Sequence, residues 1–512
     1  MVDIEECLDS VRETERKTVA SVKLKHRQKG YVTPTFQGDS FVPGTHKIYL
    51  RTWGCSHNVS DSEYMNGALT SAGYSVTSEK EEASVWILNS CTVKTPSENQ
   101  LENTILEGRR TGKAIVVAGC VSQAEPDCTW LKGVSIIGVK QVDRIVEVVE
   151  ETLKGNCVRL LSRRRPGQKL SLPKMRRNKL IEVLAVSTGC LNHCTYCKTK
   201  MARGDLVSYP LEEIVEQARS AFADGCRELW LTSEDLGAWG RDIGMVLPDL
   251  LEELVKIIPD GCMMRLGMTN PPYILDFLKE MADILNHPRV YSFLHIPVQA
   301  GADSVLSDMR REYSCSDFCH IMDFMLKNVP NIYVATDFIC AFPTESAEDF
   351  EESMALVKKY EFPSLFINQF YPRSGTPAAR MKRVDTTEAR RRTTEMSQYF
   401  RSYSRYTPDR IGEECDVLVC ETATDGVHFV GHNKYYEHIL VPSDDKSLFG
   451  KVIRVQITGV SKFHMKSKVI KATLCRTSLS FLSSLPTVLS RFQCSVVALL
   501  FSILISWLIF VR

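Results

Sequence analysis

The chain has 512 residues, of which 44% are hydrophobic and 24% are charged, and its formal net charge is +1. This length is too great for one ordinary domain, and the composition is that of a globular protein with material for several cores. The near-zero net charge excludes an overall basic field of the kind that attracts nucleic acid, so any such surface must be local.

The first 45 residues are charged and poorly periodic, which predicts a flexible segment over 1–45. They contain no apolar stretch of the kind that a secretory signal peptide needs. The 18 cysteines are spread over too long a chain for a small disulfide scaffold. We therefore expect a reducing compartment, in which the thiols are free or bound to metal.

Three short apolar runs come next, and each is followed by a plausible helix: KIYLRTWGC (47–55), SVWILNSC (84–91) and AIVVAGC (114–120). This βαβ pattern predicts a small doubly wound domain over 46–155. Each run ends in a cysteine, namely Cys55, Cys91 and Cys120. Because the carboxyl ends of parallel strands meet at one crevice, the three thiols are expected to come together. Ordinary burial is the alternative for any one of them, since cysteine is a common core residue.

A basic linker over 156–179 precedes a second βα series over 180–407. The linker has eight lysines or arginines between 162 and 179 and no acid there, so it is a candidate addition to an RNA-binding surface. The second series has helical patterns between six strand candidates, at 182–188, 226–233, 263–268, 290–297, 332–340 and 364–370. Six βα repeats predict an incomplete TIM-like barrel, with its chemistry at the C-terminal ends of the strands.

The stretch GCLNHCTYCKTK places Cys190, Cys194 and Cys197 in a C-x₃-C-x₂-C array just after the first of these strands. A zinc site normally takes a fourth Cys or His from a second nearby pair, which this spacing does not supply. Three thiolates leave one corner of a metal centre open, which favours an iron–sulfur cluster that binds a substrate at one iron. Zinc, or no metal at all, remains an alternative on spacing alone.

Side chains at the next strand ends are candidates for contacts with a cofactor. Glu234 and Asp235 end the second strand and could accept hydrogen bonds from an amino group or a ribose. Arg265 lies in the third strand and could pair with a carboxylate. A structural ion pair is an equal alternative for each of them.

A helix near 385–405 leads to a β-rich segment with turn signals, which predicts a small barrel over 408–474. Basic residues with aromatic neighbours suit backbone contacts and base stacking with RNA, and a solvated charged face is the alternative. The candidate RNA-binding residues are Lys451, Arg454, Lys462, Lys466 and Lys468.

After a linker at 475–493, residues 494–511 read CSVVALLFSILISWLIFV and contain no charged residue. As a helix these 18 residues span about 27 Å, enough for a thin bilayer. The sequence therefore predicts a single-pass tail anchor with the catalytic domains in the cytosol. The short span favours the endoplasmic reticulum membrane. A buried terminal helix is the alternative.

The cysteine array and the βα series resemble the radical S-adenosylmethionine superfamily. Over about 46–474 the chain resembles its branch of methylthiotransferases that modify threonylcarbamoyladenosine in tRNA. The β-rich segment resembles the TRAM domain. At residues 341–346 the chain reads AFPTES, where members of this family usually have the glycine-rich GFPGET. The stretches that carry the resemblance are GCLNHCTYCKTK (189–200), LTSEDLGAWGRDIG (231–244), MTNPPYILDFLKEM (268–281), FLHIPVQAGADSVL (293–306), FINQFYPRSGTP (366–377) and VGHNKYYEHILVP (430–442).

The resemblance implies an α/β fold with a methylthiotransferase domain, a partial (β/α)₆ radical barrel and a TRAM barrel. It implies two [4Fe–4S] clusters: one on the C-x₃-C-x₂-C array, which cleaves S-adenosylmethionine, and an auxiliary one on Cys55, Cys91 and Cys120. It further implies methylthiolation of threonylcarbamoyladenosine beside a tRNA anticodon. Methylthiolation of isopentenyladenosine or of a ribosomal-protein aspartate is one alternative, and a membrane-tethered RNA-binding zinc protein is another. We expect a monomer that needs a separate electron donor and sulfur source.

Overall fold

The computed structural model describes residues 46–92, 95–162 and 167–471, and these residues build three successive units. The first unit is a parallel sheet with the strand order β2-β1-β3-β4-β5-β6. Its strands are β1 (Lys47–Thr52), β2 (Ser75–Thr77), β3 (Val85–Ser90), β4 (Ala114–Gly119), β5 (Ser135–Ile137) and β6 (Arg159–Leu160). Its helices are α1 (Ser56–Ser71), α2 (Thr95–Arg110), α3 (Cys120–Ala124) and α4 (Ile145–Leu153).

Both faces of this sheet are covered, as its continuous apolar strands predict. Val85 and Ile87 of β3 belong to one core cluster, which includes residues of α1 and α4. Trp86 and Leu88 point to the other face, where α2 covers them. The three predicted strands are present, but β2, β5 and β6 were not predicted because runs of two or three residues carry no periodic signal. β6 extends the sheet beyond residue 155, into the stretch predicted as linker.

The second unit is the predicted open barrel, made of two parallel three-stranded sheets with the orders β11-β10-β7 and β12-β13-β14. Isolated pairings of Met264 with Val290 and of Met268 with His295 join the sheets. The strands are β7 (Ile181–Ala185), β8 (Ser187–Thr188), β9 (Val207–Ser208), β10 (Glu228–Thr232), β11 (Met263–Arg265), β12 (Phe293–His295), β13 (Tyr333–Cys340) and β14 (Ser364–Gln369). The short strands β8 and β9 form a separate antiparallel pair.

Helices cover the barrel, and their apolar faces form the largest core cluster with the strands. Ser346 caps the helix that follows β13, where its side chain accepts a hydrogen bond from the amide of Asp349. The helices are α5 (Thr199–Arg203), α6 (Leu211–Ala223), α7 (Leu247–Ile257), α8 (Leu278–Asn286), α9 (Asp303–Asp308), α10 (Cys315–Asn328), α11 (Ala347–Tyr360) and α12 (Thr386–Ser402).

The third unit is a closed five-stranded barrel with the order β15-β16-β17-β19-β18, as predicted for the β-rich segment. Its Tyr436 packs against Trp230 and Phe293 of the open barrel. His432 lies 3.0 Å from the carboxylate of Glu228, the first residue of β10. The small barrel therefore closes the N-terminal ends of the open barrel's strands. Its strands are β15 (Glu414–Thr422), β16 (His428–His432), β17 (His438–Pro442), β18 (Val452–Val460) and β19 (Met465–Lys471).

Three predicted segments lie outside the described residues: 1–45, the linker at 475–493 and the membrane segment at 494–511. In the part of the chain that the structure describes, no helix combines the length and apolarity needed to cross a membrane.

Candidate functional site

A cavity lies at the C-terminal ends of the open barrel's strands, the end at which such barrels carry out chemistry. All six cysteines singled out in the sequence line it: Cys55, Cys91, Cys120, Cys190, Cys194 and Cys197. The first three come from the first unit, and we call them the N-terminal triad. The last three come from the loop after β8, and we call them the barrel triad. The two triads therefore share one cavity across the boundary of two units.

Two glycines bring the N-terminal triad together. Gly54 has a φ of +109°, and a Cβ there would lie 2.4 Å from Cβ and 2.8 Å from Sγ of Cys91. Gly119 has a φ of +88°, and a Cβ there would lie 2.3 Å from Oδ1 of Asn89. Only glycine tolerates both this backbone conformation and this close approach. The predicted convergence of three strand-end thiols is therefore present.

The thiols of the N-terminal triad are crowded in a low-dielectric environment. Burial raises the pKa of Cys120, the guanidinium of Arg203 opposes the rise, and the neighbouring Cys91 and Cys55 add to it. Three crowded thiols cannot all ionise without a compensating cation. A bound metal centre supplies that compensation, because cysteine binds metals as the thiolate.

Backbone contacts shape the loop of the barrel triad. Gly189 has a φ of +81°, and a Cβ there would lie 2.0 Å from the carbonyl oxygen of Asp205. The amide of Cys190 donates to the carbonyl of Gly204 at 3.2 Å. The ammonium of Lys200 donates to the carbonyl of Cys190. The loop is thus tied at its start to the segment that follows α5.

A guanidinium lies directly against the barrel triad. Arg311 donates to Sγ of Cys194 at 3.1 Å, and it also donates to Oδ1 of Asn270 and to the hydroxyl of Tyr313. Burial raises the pKa of Cys194, whereas Arg311 lowers it. Arg311 therefore offsets part of the cost of burying the thiolate of Cys194, which is the form that binds metal.

The donor sets fit two iron–sulfur clusters with one open corner each. The described residues that line the cavity include three cysteines per triad and no seventh cysteine. Within the described ranges, no group of three or more His, Cys, Asp or Glu side chains could hold a single metal ion. Ligands of a four-iron cluster bind different iron atoms, so their sulfurs need not converge on one point.

Two of the three candidate cofactor-binding residues, Asp235 and Arg265, do not line the cavity. Asp235 is fully buried, accepts hydrogen bonds from the amide and side chain of Asn270 at 3.1 Å and 2.6 Å, and does not line the cavity. Burial raises its pKa to about 6. Arg265 lies among the rings of Trp230, Phe293 and Tyr436, with its guanidinium 4.6–5.0 Å from their centroids. Its side chain is buried beside the small barrel, at the opposite end from the cysteines.

Glu234 does line the cavity, and one oxygen of its carboxylate, Oε1, is engaged, whereas the buried Oε2 has no hydrogen-bond partner among the described residues. It lies 2.8 Å from Nδ1 of His57 and 3.1 Å from Nε of Arg203. Burial alone would raise its pKa, but these two neighbours hold the pKa below its ordinary value. The structural ion pair, considered as the alternative for this residue, is therefore present.

Sequence reasoning missed several polar side chains of the cavity. His295 ends β12, and its Nε2 lies 2.5 Å from the carboxylate of Asp337 in β13. Asn270 follows β11. Like Glu234, both Asn270 and His295 lie at or after the C-terminal end of a strand, so this position in the sequence could have identified them. Arg311 follows a helix and gave no local signal.

The candidate RNA-binding residues differ in their exposure. Lys466 and Lys468 are exposed on β19, and Lys451 is half-buried. Arg454 lies 3.7 Å from Glu414 and 3.4 Å from Asp416.

Lys462 is occupied within the protein. Its ammonium donates to the carbonyls of Phe400 and Tyr403, and it lies 4.0 Å and 4.2 Å from the centroids of their rings. Burial lowers its pKa to about 8. Lys462 therefore ties the small barrel to α12, which makes it a poor candidate for a phosphate contact.

The basic linker is likewise partly occupied. Lys174 lies 2.6 Å from Glu182 and 3.2 Å from Glu63, and all three side chains are buried. Arg176 contacts Glu182 and lies 3.1 Å from Asp224. Lys174 thus holds the first unit against the barrel and Arg176 holds the linker to the barrel, so neither cation is available to a surface for RNA.

Comparisons with known proteins match both of the first two units. Residues 47–134 match the family model described as "Uncharacterized protein family UPF0004", and residues 184–357 match the Radical SAM superfamily. A Drosophila melanogaster protein named threonylcarbamoyladenosine tRNA methylthiotransferase is 54% identical over 489 residues, which cover 91% of this chain and 88% of that protein. The human protein of that name is 55% identical over 438 residues, covering 84% and 75% of the two chains. The Caenorhabditis elegans protein is 71% identical over 353 residues, covering 69% and 83%.

Proposed function

The chain belongs to the family of the threonylcarbamoyladenosine tRNA methylthiotransferases, and we propose that its cavity attaches a methylthio group to C2 of N6-threonylcarbamoyladenosine beside the tRNA anticodon. One observation carries this conclusion: two cysteine triads from two units line a single cavity. The C–H bond at C2 of a purine is inert to acid–base chemistry, so side chains alone cannot replace its hydrogen with a methylthio group. Cofactors carry reactions of this kind.

The cofactors are two [4Fe–4S] clusters and S-adenosylmethionine. Together they supply the radical chemistry at the adenosine and a route for the sulfur atom, and they also supply the methyl group. In this proposal the barrel triad holds the cluster with the open iron, at which S-adenosylmethionine binds. The N-terminal triad would hold the second cluster in the same cavity.

A relay of hydrogen bonds positions Arg311 beside the barrel triad. Asp235 accepts two hydrogen bonds from Asn270, and Oδ1 of Asn270 accepts one from Arg311. Arg311 then donates to Cys194. A charge-assisted bond of this kind is strong and stabilises the thiolate. Asp235 therefore acts one step away from the cavity, by orienting the residue that orients Arg311.

His295 and Asp337 supply a titratable pair on the wall of the cavity. The carboxylate fixes the orientation of the imidazole, as a carboxylate does for many catalytic histidines. We assign this pair to hold or accept a proton beside the adenosine. No other imidazole lines the cavity among the described residues.

The substrate is a tRNA, whose anticodon loop is single-stranded, so its bases can enter the cavity without the opening of a duplex. We assign Lys466, Lys468 and Lys451 of the small barrel to contacts with the RNA backbone. Exposure of the first two on one strand supports this assignment.

We also propose that residues 494–511 anchor the protein in the endoplasmic reticulum membrane with its catalytic units in the cytosol. The support is the uncharged 18-residue stretch itself, which is flanked by Arg491 and Arg512. The electron donor and the sulfur source are separate partners, and the protein is proposed to act as a monomer.

Anaerobic reconstitution of the full chain tests the proposed function. We expect about eight iron atoms with matching acid-labile sulfide per chain. With S-adenosylmethionine, a reductant and a sulfur source, nucleoside mass spectrometry should detect 2-methylthio-N6-threonylcarbamoyladenosine in tRNA that already carries the threonylcarbamoyl group. Matched tRNA with isopentenyladenosine is the control and should stay unmodified. Zinc in place of iron, with no cleavage of S-adenosylmethionine, would instead support an RNA-binding zinc protein.

A further inference from the structure

A buried charge network joins α1 of the first unit to α5 and β10 of the barrel. Arg203 donates to Oδ2 of Asp61 at 2.7 Å and to Oδ1 of Asn58 at 2.8 Å, and its Nε lies 3.1 Å from Glu234. Glu234 in turn lies 2.8 Å from His57. The side chain of Arg203 is only 1% exposed and that of Asp61 only 2%. A buried guanidinium is stable only when carboxylates and hydrogen-bond acceptors face it, as they do here.

This network reaches every segment that carries the N-terminal triad, and Asn58 is the shared contact. The protonated thiol of Cys120 donates to Oδ1 of Asn58 at 3.7 Å, and this is the same oxygen that accepts from Arg203. As a cluster ligand the thiolate of Cys120 has no proton to donate, and the group that then faces it is Arg203, whose guanidinium opposes the rise in the pKa of this thiol. Nδ2 of Asn58 donates at 2.9 Å to the carbonyl of Trp53, two residues before Cys55. It also donates at 2.9 Å to the carbonyl of Ser90, the residue before Cys91. Arg203 therefore holds the one amide that ties the segments of Cys55 and Cys91 together, and its own guanidinium interacts with Cys120.

We infer that Arg203, a residue of the barrel, is a positioning residue for the cluster on the N-terminal triad. It fixes Asn58 and hence the geometry of the three cysteines, and it places a permanent positive charge beside the cluster. This inference rests on the proposed function, because it assumes a cluster on that triad.

A fixed positive charge stabilises the reduced form of a nearby cluster more than the oxidised form, because reduction adds a negative charge. The reduction potential of the second cluster should therefore depend on Arg203. Since Arg203 belongs to the other unit, the second cluster reaches its working potential only when the two units are docked.

Lys174 provides a matched control for a purely structural role. It is another buried cation that joins α1 to the barrel, through Glu63 on α1 and Glu182 on β7. It also contacts the carbonyl of Val183 and the ring of Tyr64, and none of these partners is a cysteine of the N-terminal triad. Losing Lys174 weakens docking without removing the charge beside the cluster.

The experiment uses the full chain with Cys190, Cys194 and Cys197 all changed to Ala, so that only the second cluster can assemble. In this parent we compare Arg203→Gln, Arg203→Lys and Lys174→Gln, with redox titrations followed by electron paramagnetic resonance. Arg203→Gln should make the equilibrium constant for reduction at least tenfold less favourable. For a one-electron couple this lowers the reduction potential by at least 59 mV. Arg203→Lys keeps the charge and should stay near the parent. Lys174→Gln should lower the thermal stability but leave the potential unchanged.

Each outcome decides the inference. Equal potentials in Arg203→Gln, Lys174→Gln and the parent would overturn it. If Arg203→Gln assembles no cluster, the inference is supported when Lys174→Gln and Arg203→Lys still assemble theirs, and it is overturned when Lys174→Gln loses its cluster too. A parent that binds no iron at all would refute the second cluster of the proposed function instead, so the two failures are distinguishable.

Discussion

At the scale of single residues, the cysteines of the two triads have separable roles. Cys194→Ala should abolish cleavage of S-adenosylmethionine, because the cluster with the open iron loses one of its three ligands. Cys91→Ala leaves the barrel triad intact, so it should still yield 5′-deoxyadenosine while the methylthio product is lost. Both products are measured by mass spectrometry in the presence of a strong reductant.

The exposed Cys157 is a suitable control, because Cys157→Ala removes a thiol that lies away from the cavity. This variant should cleave S-adenosylmethionine and form product at the wild-type rate. Cleavage at that rate in both Cys194→Ala and Cys91→Ala would contradict the division of roles between the triads.

At AFPTES two residues, Ala341 and Thr344, replace glycines of GFPGET, and Ala341 is the one with a positive φ. Ala341 keeps a φ of +59°, in the left-handed region that glycine adopts without strain. Its amide donates to the carboxylate of Glu345 at 2.7 Å, and Glu345 lies 2.7 Å from Arg392 of α12. The surrounding hydrogen bonds hold the turn in this conformation although its glycine is absent.

At the scale of secondary-structure elements, β19 is the strand that the RNA proposal depends on. Lys466 and Lys468 are exposed on it, whereas Lys462, just before it, is committed to α12. Changing Lys466 and Lys468 together to Gln should weaken tRNA binding and lower the slope of log K against log salt by about 1–2, since each phosphate contact releases counterions.

The measurement is a binding titration with tRNA at several salt concentrations. Lys279→Gln with Lys327→Gln is the matched control, because these lysines are equally exposed but lie on outer helices of the open barrel. An unaltered salt slope in the β19 variant, or an equal loss in the control, would move the RNA surface elsewhere.

Helix α1 shows how an element can mislead when its sequence is read alone. Its sequence, SHNVSDSEYMNGALTS, is polar and lacks a clear apolar stripe, as in a helix exposed to solvent. In the structure His57, Asn58, Asp61 and Glu63 are all buried. The sheet covers one side of the helix, and the barrel with its linker cations covers the other.

At the scale of the whole molecule, the cavity and the small barrel lie at opposite ends of the open barrel. The sequence of the predicted tail, residues 494–511, has one cysteine, Cys494, and no lysine, so we expect it to contribute neither to the clusters nor to the basic surface. A chain truncated after Lys471 should therefore be released from membranes, bind both clusters and modify tRNA in vitro.

Carbonate extraction and iron analysis check this prediction. Full-length protein should resist extraction from microsomes, with its catalytic units open to protease from the cytosolic side. A full-length protein that carbonate releases would argue against the anchor. A truncated form that loses iron would show that the tail supports the fold.

The sequence by itself determined the fold class and identified the six cysteines as candidate cluster ligands, because both inferences depend on short-range patterns of residues. Strands such as β3 and β4 are continuous apolar runs, Cys91 and Cys120 follow these two strands directly, and Cys190, Cys194 and Cys197 have a close spacing in one loop. Helix caps such as Ser346 are equally local. Alternation, spacing and capping act within a few residues, so no knowledge of the tertiary structure is needed to read them.

Only the tertiary structure decided which charged side chains face the cavity and which hold the units together. Glu234, Arg265, Lys174 and Lys462 all read as candidate ligands or RNA contacts, yet each is buried against another unit or segment. Each of the four has at least one partner that is distant in the chain or lies in another unit, so no local pattern reveals these contacts. A charge that leaves water needs such a partner, and that requirement can be met only once the units have docked.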